Sequence, residues 1–268
     1  MQRLIYNIFY KHILNRPKLR LFITSLLVPN NNVTIDLFGA PLYINTRDEI
    51  GCKRAYDFTQ MCALLRDETG PIINLSMILR DGDAFIDVGA NVGLFTSVLL
   101  RVQNICSRMK FYAFEPNPDT FVRLAKSVAG QDVELFPVGL SDSEGELIFC
   151  EGVTSSAFAP LMNSGKKQIL DRQHTISCRR LDSFTFESNS LVIKLDAEGH
   201  ELKILLGASQ LFEQKRVKAV LIDGCSSQAK DLLAKENFAF FHGHTLKPLT
   251  DSLPRCILAI RKECLSLM

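Results

Sequence analysis

The stretch Phe85-Ile86-Asp87-Val88-Gly89-Ala90-Asn91-Val92-Gly93 decides the fold class of this chain. It joins an apolar, β-rich run to a segment with helical periodicity, which predicts a strand, a tight turn and the start of a helix. Gly89 and Gly93 allow the backbone to turn sharply and to approach a ligand closely. The alternative is a strand-to-helix turn that needs two glycines and binds nothing.

The residues of this turn favour an amino-acid-like cofactor over a dinucleotide. The Gly-x-Gly-x-x-Gly pattern that accompanies a pyrophosphate is absent. The carboxylate of Asp87 is poorly placed beside a pyrophosphate, but it can accept hydrogen bonds from an ammonium group, directly or through water. Asp87, Gly89, Asn91 and Gly93 are therefore predicted to bind the cofactor.

Working outward from this turn, short β-rich runs alternate with segments of helical periodicity, which predicts an α/β fold. Such alternation is typical of a mostly parallel sheet with helices on both faces. Two further strands, Glu146–Cys150 and Thr175–Arg179, are predicted as additions around a polar loop. The main strands are predicted at Ala84–Val88, Phe111–Phe114, Val133–Val138, Leu191–Leu195, Val217–Ile222, Phe238–Phe241 and Ile257–Ile260, and the helices at Leu94–Val102, Pro118–Val128, Leu202–Leu211 and Ser227–Glu236.

Acidic residues follow the next two predicted strands. Ligands of open α/β sheets bind beyond the carboxyl ends of the strands, where the strand order reverses. Glu115 is placed to accept both hydroxyls of a ribose, and Asp142 can accept a hydrogen bond from an adenine amino group. Alternatively, Glu115 only favours the start of the next helix, and Asp142 only belongs to a turn. Together with Asp87, they predict an adenosine-containing cofactor.

The fourth strand ends in a dense group of titratable residues, which predicts the site of chemistry. Asp196 or His200 can act as general base for an acceptor hydroxyl. Alternatively, Asp196 and Glu198 can help to hold a divalent cation that lowers the pKa of that hydroxyl. These side chains can also be simple polar residues that open a helix. Lys194 is predicted to lie within the strand, with its ammonium group paired to a carboxylate.

Two more polar positions lie at the same predicted edge. Asp223 ends the fifth strand and is a candidate contact for the acceptor or for a metal ion. His242 and His244 follow the next strand, and without further ligands at suitable spacing they are interpreted as a loop. Whether a cation is used therefore stays open, with Asp196, Glu198 and Asp223 as the candidate ligands.

The first 80 residues are predicted to form an N-terminal extension that can cover the acceptor site, followed by the cofactor-binding domain over 81–268. The extension is predicted to have helices over 2–28, a hairpin of Val33–Phe38 and Pro41–Asn45, and helical structure from about 53 to 80, broken near Gly70-Pro71. No acidic residue precedes Asp36, so the basic start can contact an anionic membrane surface, or else pack as a helix over the domain.

Composition narrows the class of protein. Of 268 residues, 47% are hydrophobic and 22% charged, which is ordinary for a globular domain. The net charge of +2 offers no strong field for nucleic acid, so no nucleic-acid partner is expected. The eight cysteines form no Cys-x-x-Cys pair and have apolar neighbours, which predicts buried, reduced thiols in a cytoplasmic protein, with a disulfide set as the lesser alternative.

Over roughly residues 82–250 the sequence resembles the FkbM-type family of S-adenosylmethionine-dependent methyltransferases. The ordered set of segments is specific, although each segment is common alone. The segments are Gly82-Asp83 with Phe85–Gly93, then Phe114–Pro118, Gly139–Asp142, Arg180–Phe184, Ile193–Glu201 and Leu206–Ala208.

The resemblance implies a class I methyltransferase fold with a seven-stranded sheet whose last strand runs antiparallel. It also implies O-methylation of an acceptor that is a sugar or glycan hydroxyl or a secondary metabolite. One departure is Asp223, where the family often has Glu, so a contact made there can differ. From the residues alone, an NAD-dependent oxidoreductase and a non-catalytic protein of the same fold remain rivals.

Overall fold

A computed structural model describes residues 28–57, 63–101, 108–152, 156–158, 170–250 and 253–267. The helices expected over 2–28, and with them the basic N-terminal segment, lie outside the described residues except for Val28. No helix within the described ranges is long and apolar enough to cross a membrane. The five cysteines at 52, 178, 225, 256 and 264 are free thiols, and all but Cys264 are buried.

The central sheet has seven strands in the order β12-β13-β11-β10-β3-β4-β5. Neighbours from β5 to β11 pair in parallel, whereas β13 runs antiparallel to both β11 and β12. This confirms the predicted mostly parallel sheet with an antiparallel last strand. The strands are β3 (Ala84–Val88), β4 (Lys110–Phe114), β5 (Glu134–Phe136), β10 (Leu191–Leu195), β11 (Val217–Asp223), β12 (Phe238–His242) and β13 (Cys256–Arg261).

Helices cover both faces of this sheet, because the central strands are apolar on both sides. Alternate residues of β3 show this: Phe85 belongs to one buried cluster, and Ile86 belongs to the other. The first cluster contains buried residues of α1, α2 and α3, and the second contains buried residues of α5, α6 and α7. The helices are α1 (Ile50–Asp57), α2 (Ala63–Ile78), α3 (Leu94–Leu99), α4 (Pro118–Ser127), α5 (Glu201–Leu206), α6 (Ser209–Glu213) and α7 (Ser227–Lys235).

The hairpin and the added strands are also confirmed. Strands β1 (Asn32–Leu37) and β2 (Ala40–Asn45) pair antiparallel, and the backbone N–H of Tyr43 donates to Ser127 Oγ on α4 at 2.8 Å. The added strands belong to a second sheet of order β6-β9-β7-β8. Its strands are β6 (Gly139–Leu140), β7 (Gly145–Gly152), β8 (Ser156–Phe158) and β9 (Leu170–Arg179).

Two helix boundaries differ from those predicted. The break expected near Gly70-Pro71 is absent, since α2 continues through Pro71 and packs Pro71, Ile72 and Leu75 into the core. The helix expected over Leu202–Leu211 is divided at Gly207. A Cβ on Gly207 would lie 2.0 Å from the carbonyl oxygen of Ser141, so the neighbouring loop packs directly on its backbone. In both cases tertiary packing outweighs the local sequence signal.

Candidate active site

The loop after β3 is fixed in place by backbone contacts to two neighbouring strands. The N–H groups of Gly89 and Ala90 donate to the carbonyl oxygen of Phe114 at the end of β4, each at 3.0 Å. On the other side, a Cβ on Gly89 would lie 2.0 Å from the carbonyl oxygen of Asp196. Gly89 also has a φ of +70°, so both its backbone conformation and its surroundings require glycine. The loop therefore joins the ends of β3, β4 and β10.

Glu115 is tied to this loop. Its Oε2 accepts the N–H of Asn91 and its Oε1 accepts the N–H of Asn117, both at 2.9 Å. Asn91 has a φ of +52°, and its own side-chain oxygen accepts the N–H of Val92 at 2.7 Å. Burial raises the pKa of Glu115 to about 7, against the lowering effect of these two N–H groups. Each carboxylate oxygen keeps a lone pair that can accept a ribose hydroxyl.

Asp87 lies behind the loop, where it is fully buried. Its Oδ2 accepts the hydroxyl of Thr96 at 2.7 Å, and its Oδ1 lies 3.3 Å from Lys194 Nζ. Oδ1 has no hydrogen-bond partner of good geometry among the described residues. These contacts support a role in holding the loop, while contact with the ammonium group of the cofactor stays a prediction.

Lys194 connects the loop to the predicted site of chemistry. Its ammonium group donates to the carbonyl oxygen of Gly89 at 2.7 Å and lies 3.8 Å from Asp196 Oδ2. Burial acts to lower the pKa of Lys194, but the carboxylates of Asp87, Asp196 and Glu68 outweigh it, so the pKa is raised. The expected pairing of Lys194 within its strand is therefore present in the structure, and it involves the backbone of the turn as well.

Asp142, the predicted acceptor for the adenine amino group, lies in the loop that follows β6. Arg180 donates to the carbonyl oxygen of Asp142 at 2.6 Å and forms an ion pair with Asp182 at 2.7 Å. The half-buried side chain of Asp142 accepts the hydroxyl of Ser141 at 3.1 Å. Arg180 therefore positions the Asp142 loop, a role that the sequence did not indicate.

His200, the other predicted general base, lies in the loop after β10, and its catalytic role stays a prediction. The ring is buried, and its Nε2 lies 3.0 Å from Ser141 Oγ. Burial, together with the charge of Lys203, lowers the pKa of His200 to about 4. Through this contact, His200 joins the β10–α5 loop to the Ser141–Asp142 loop.

The rest of the β10–α5 loop is shaped by Glu201. This buried side chain accepts the N–H of Ala197 at 3.1 Å and the N–H of Gly199 at 2.9 Å. Glu198 has a φ of +50° and stays accessible at the surface. Loss of hydration of its carboxyl group, and the nearby carboxylates of Asp196 and Asp223, raise the pKa of Glu198 to about 7. A shared role of Asp196 and Glu198 stays a prediction.

A cavity of about 270 Å³ opens beside Asp196. The cavity is lined by the ends of β10 and β11, by α2, and by residues that follow β12 and precede β13. Polar side chains of both signs line it, as expected for a site that binds a polar molecule. The charged and titratable lining residues are Arg66, Asp67, Glu68, Lys194, Asp196, Asp223, His244 and Arg255.

Asp223 lies at this cavity but is held by an arginine. Arg255 donates to Asp223 Oδ2 at 2.6 and 2.9 Å, and it also donates to Oδ1 at 3.1 Å. Within the described ranges, no group of three or more His, Cys, Asp or Glu side chains is arranged to hold a metal ion. The cation ligation considered for Asp196, Glu198 and Asp223 therefore has no preformed cluster to support it.

Glu68 and Arg255 are among the cavity residues that sequence reasoning missed. Glu68 lies on α2, 126 residues before Lys194 in the chain, and no local motif surrounds it. Arg255 precedes β13 and reaches the site only because β13 is inserted beside β11. The earlier expectation that the first 80 residues shape the acceptor site was the only available signal for Glu68.

Comparisons with known proteins agree with this geometry. Residues 87–242 match the methyltransferase FkbM domain. The chain is also similar to the hexuronic acid methyltransferase AglP of Haloferax volcanii, with 30% identity over 152 residues. That match covers 56% of this chain and 59% of the relative, so it spans less than two thirds of the relative.

Solved structures give weaker likenesses. An S-adenosylmethionine-dependent O-methyltransferase from Thermotoga maritima is 13% identical, with a TM-score of 0.40 over 87% of this chain and 78% of that chain. A precorrin-6y C5,15-methyltransferase from Geobacter metallireducens is 17% identical, with a TM-score of 0.38 over 72% of this chain and 88% of that chain. These TM-scores are too low to support a conclusion about activity.

Proposed function

The chain belongs to the FkbM methyltransferase family, and from that premise we propose that it transfers the methyl group of S-adenosylmethionine to a hydroxyl of a sugar or glycan. The observation that carries the proposal is the close approach at Gly89. There the loop after β3, the predicted cofactor loop, is bonded to Glu115 and packs on the backbone of Asp196, which lines the cavity. The family assignment also removes the NAD-dependent oxidoreductase as a rival.

The residues of the loop fit the cofactor that the family implies. Glu115 offers two acceptor oxygens at the end of β4 for the ribose hydroxyls, and beside it Asn91 is exposed and Gly89 is half-buried. Asp142, held by Arg180, offers an acceptor for the adenine amino group. Asp87 has one unsatisfied buried oxygen behind the loop. S-Adenosylmethionine supplies an electrophilic methyl carbon when bound, and the protein contributes orientation and exclusion of water.

The acceptor is proposed to lie in the cavity beside Asp196. Carboxylates accept hydrogen bonds from hydroxyl groups, so a lining with Asp196 and Glu68 suits a polyhydroxyl molecule better than an apolar one. Asp196 orients the reacting hydroxyl toward the methyl carbon, at the point where the loop and β10 meet. The similarity to a hexuronic acid methyltransferase supports a sugar acceptor, and a hydroxylated secondary metabolite is the second candidate.

Calorimetry and a transfer assay test this proposal together. Wild-type protein should bind S-adenosylhomocysteine, and Glu115→Ala should bind it much more weakly, because the ribose hydroxyls and the Asn91 N–H lose their acceptor. Methyl β-D-glucuronide and methyl β-D-glucoside should then be labelled from methyl-labelled S-adenosylmethionine. Unchanged affinity in both Asp87→Ala and Glu115→Ala would contradict the cofactor site. Binding without labelling of either sugar would contradict the sugar acceptor and favour the hydroxylated secondary metabolite.

A further inference from the structure

We propose that Glu68, contributed by α2 outside the family-matched segment, is the general base that removes the proton from the acceptor hydroxyl. The inference rests on the proposed function and adds a residue to it. Glu68 lines the same cavity as Asp196, but it comes from α2 and not from the end of β10. An acceptor in the cavity would therefore meet two carboxylates, one from the end of a strand and one from a helix.

The position of Glu68 is fixed by contacts of α2 with the loop after β12. Asn74 donates from its side chain to the carbonyl oxygen of Gly243 at 2.6 Å, in a buried hydrogen bond. A Cβ on Gly70 would lie 3.0 Å from both the Cα and the carbonyl oxygen of His244, so the helix backbone packs closely there. These two contacts hold the segment that carries Glu68 beside the cavity. Helix α2 therefore forms a fixed part of the cavity lining.

The electrostatics of the cavity suit Glu68 to proton transfer. Burial raises the pKa of Glu68 to about 7, and the carboxylates of Asp196 and Asp223 add to this against the opposing charge of Lys194. A base with a pKa near the working pH combines an ionised form with a useful affinity for a proton. The charged and titratable groups that face Glu68 are Arg66, Asp67, Lys194, Asp196, Asp223, His244, Arg255 and Cys256.

The proposed step joins methyl transfer to proton removal at the acceptor oxygen. The acceptor oxygen forms a bond to the methyl carbon while the carbon–sulfur bond breaks, and that electron pair stays on sulfur as S-adenosylhomocysteine leaves. The acceptor O–H bond breaks, and its proton moves to a carboxylate oxygen of Glu68. Asp196, whose Oδ2 lies 3.8 Å from Lys194 Nζ, orients the hydroxyl. The protonated Glu68 then returns the proton to solvent through the open side of the cavity.

The first measurement needs no acceptor. In protein labelled with ¹³C at glutamate side-chain carboxyls, the resonance that disappears in Glu68→Gln identifies Glu68. Its titration midpoint is expected near 7 in the wild-type protein. A midpoint near 4.5, the ordinary value for Glu, would overturn the proposal.

The second measurement is the pH profile of methyl transfer to methyl β-D-glucuronide and methyl β-D-glucoside. At saturating S-adenosylmethionine, which removes the effect of Glu115 on cofactor affinity, the wild-type kcat is expected to rise as the pH increases through about 7, because only ionised Glu68 accepts a proton. Glu68→Gln should lose that rise and lower kcat by a factor on the order of 10²–10⁴, while Glu68→Asp keeps the rise. Affinity for S-adenosylhomocysteine should not change in Glu68→Gln.

Two further variants separate the possible results. Glu198 also has a pKa of about 7, so the rise should persist in Glu198→Gln if Glu68 is its source. Glu213→Gln, an exposed change on α6, is the matched control and should resemble wild type. Full activity in Glu68→Gln would overturn this inference alone. Wild-type protein that binds S-adenosylhomocysteine but labels neither sugar would overturn it together with the proposed acceptor.

Discussion

Lys194 Nζ lies 2.7 Å from the carbonyl oxygen of Gly89 and 3.3 Å from Asp87 Oδ1. One buried ammonium group thus joins the backbone of the cofactor loop to the carboxylate behind it. The same group lies 3.8 Å from Asp196 Oδ2 in the cavity. The loop after β3 and the cavity beside Asp196 therefore share the ammonium group of Lys194 as a partner. Its charge also offsets carboxylates that would otherwise crowd the end of the sheet.

Lys194→Met should therefore reduce both stability and cofactor affinity. The variant leaves Asp87 buried without its charge partner, and removing one member of a buried pair costs about 3–5 kcal/mol. Urea unfolding would measure this loss, and calorimetry with S-adenosylhomocysteine would measure the effect on the loop. Lys235→Met, an exposed change at the end of α7, is the control and should cost little. A similar small loss for Lys194→Met would show that the pair does not support the loop.

Gly89→Ala tests the close approach between the cofactor loop and Asp196. The added Cβ would lie 2.0 Å from the Asp196 carbonyl oxygen, at a φ of +70°. Gly82→Ala is a matched control, because Gly82 has a φ of +85° with nothing within 4 Å of an added Cβ. In the control, the free energy of unfolding should fall only by the cost of the left-handed backbone, about 1–2 kcal/mol. In Gly89→Ala it should fall by a further ~1–3 kcal/mol because of overpacking. Equal decreases in urea unfolding would contradict the steric contact.

Much of the fold could be predicted from the sequence because its signals are local. The apolar run of β3 is buried on both faces, and Gly89 and Gly93 mark the turn to α3, so periodicity and glycine placement were sufficient. The errors occurred where distant packing decides. Pro71 normally ends a helix, yet α2 continues because its neighbours are buried. Gly207 divides a helix because the Ser141 loop lies on it.

The candidate site divides in the same way. Glu115 and Asp196 could be predicted, because parallel strands bring their carboxyl ends to one edge. Glu68 and Arg255 could not, since each reaches the cavity through a long-range packing arrangement that leaves no local pattern. His200 had the right residue type at the right place in the chain. Its burial against Ser141, which no pattern reports, removes it from the cavity.

Glu115 should make cofactor binding depend on pH. Its pKa is raised to about 7 by burial, whereas bound ribose hydroxyls favour the ionised carboxylate. Affinity for S-adenosylhomocysteine should therefore increase as the pH rises toward about 7 and then level off. Glu115→Gln should bind weakly with no such slope, while Glu134→Gln, an exposed change on β5, keeps it. S-Adenosylhomocysteine is the suitable ligand because its neutral sulfur adds no charge near the cavity. A slope that survives in Glu115→Gln would assign the titration to another group.

His200 should contribute a different pH dependence, one of stability. Its pKa is lowered from 6.5 to about 4 in the folded protein, so below about pH 6.5 the unfolded chain takes up a proton at this position and the folded chain does not. Wild-type stability should therefore fall relative to His200→Asn as the pH decreases from 6.5 to 4, by about 3 kcal/mol in all. Carboxylates with raised pKa values act in the opposite direction, but they are present in both proteins and cancel in the difference. Parallel stability curves from urea unfolding would show that the pKa of His200 is not lowered in the folded protein.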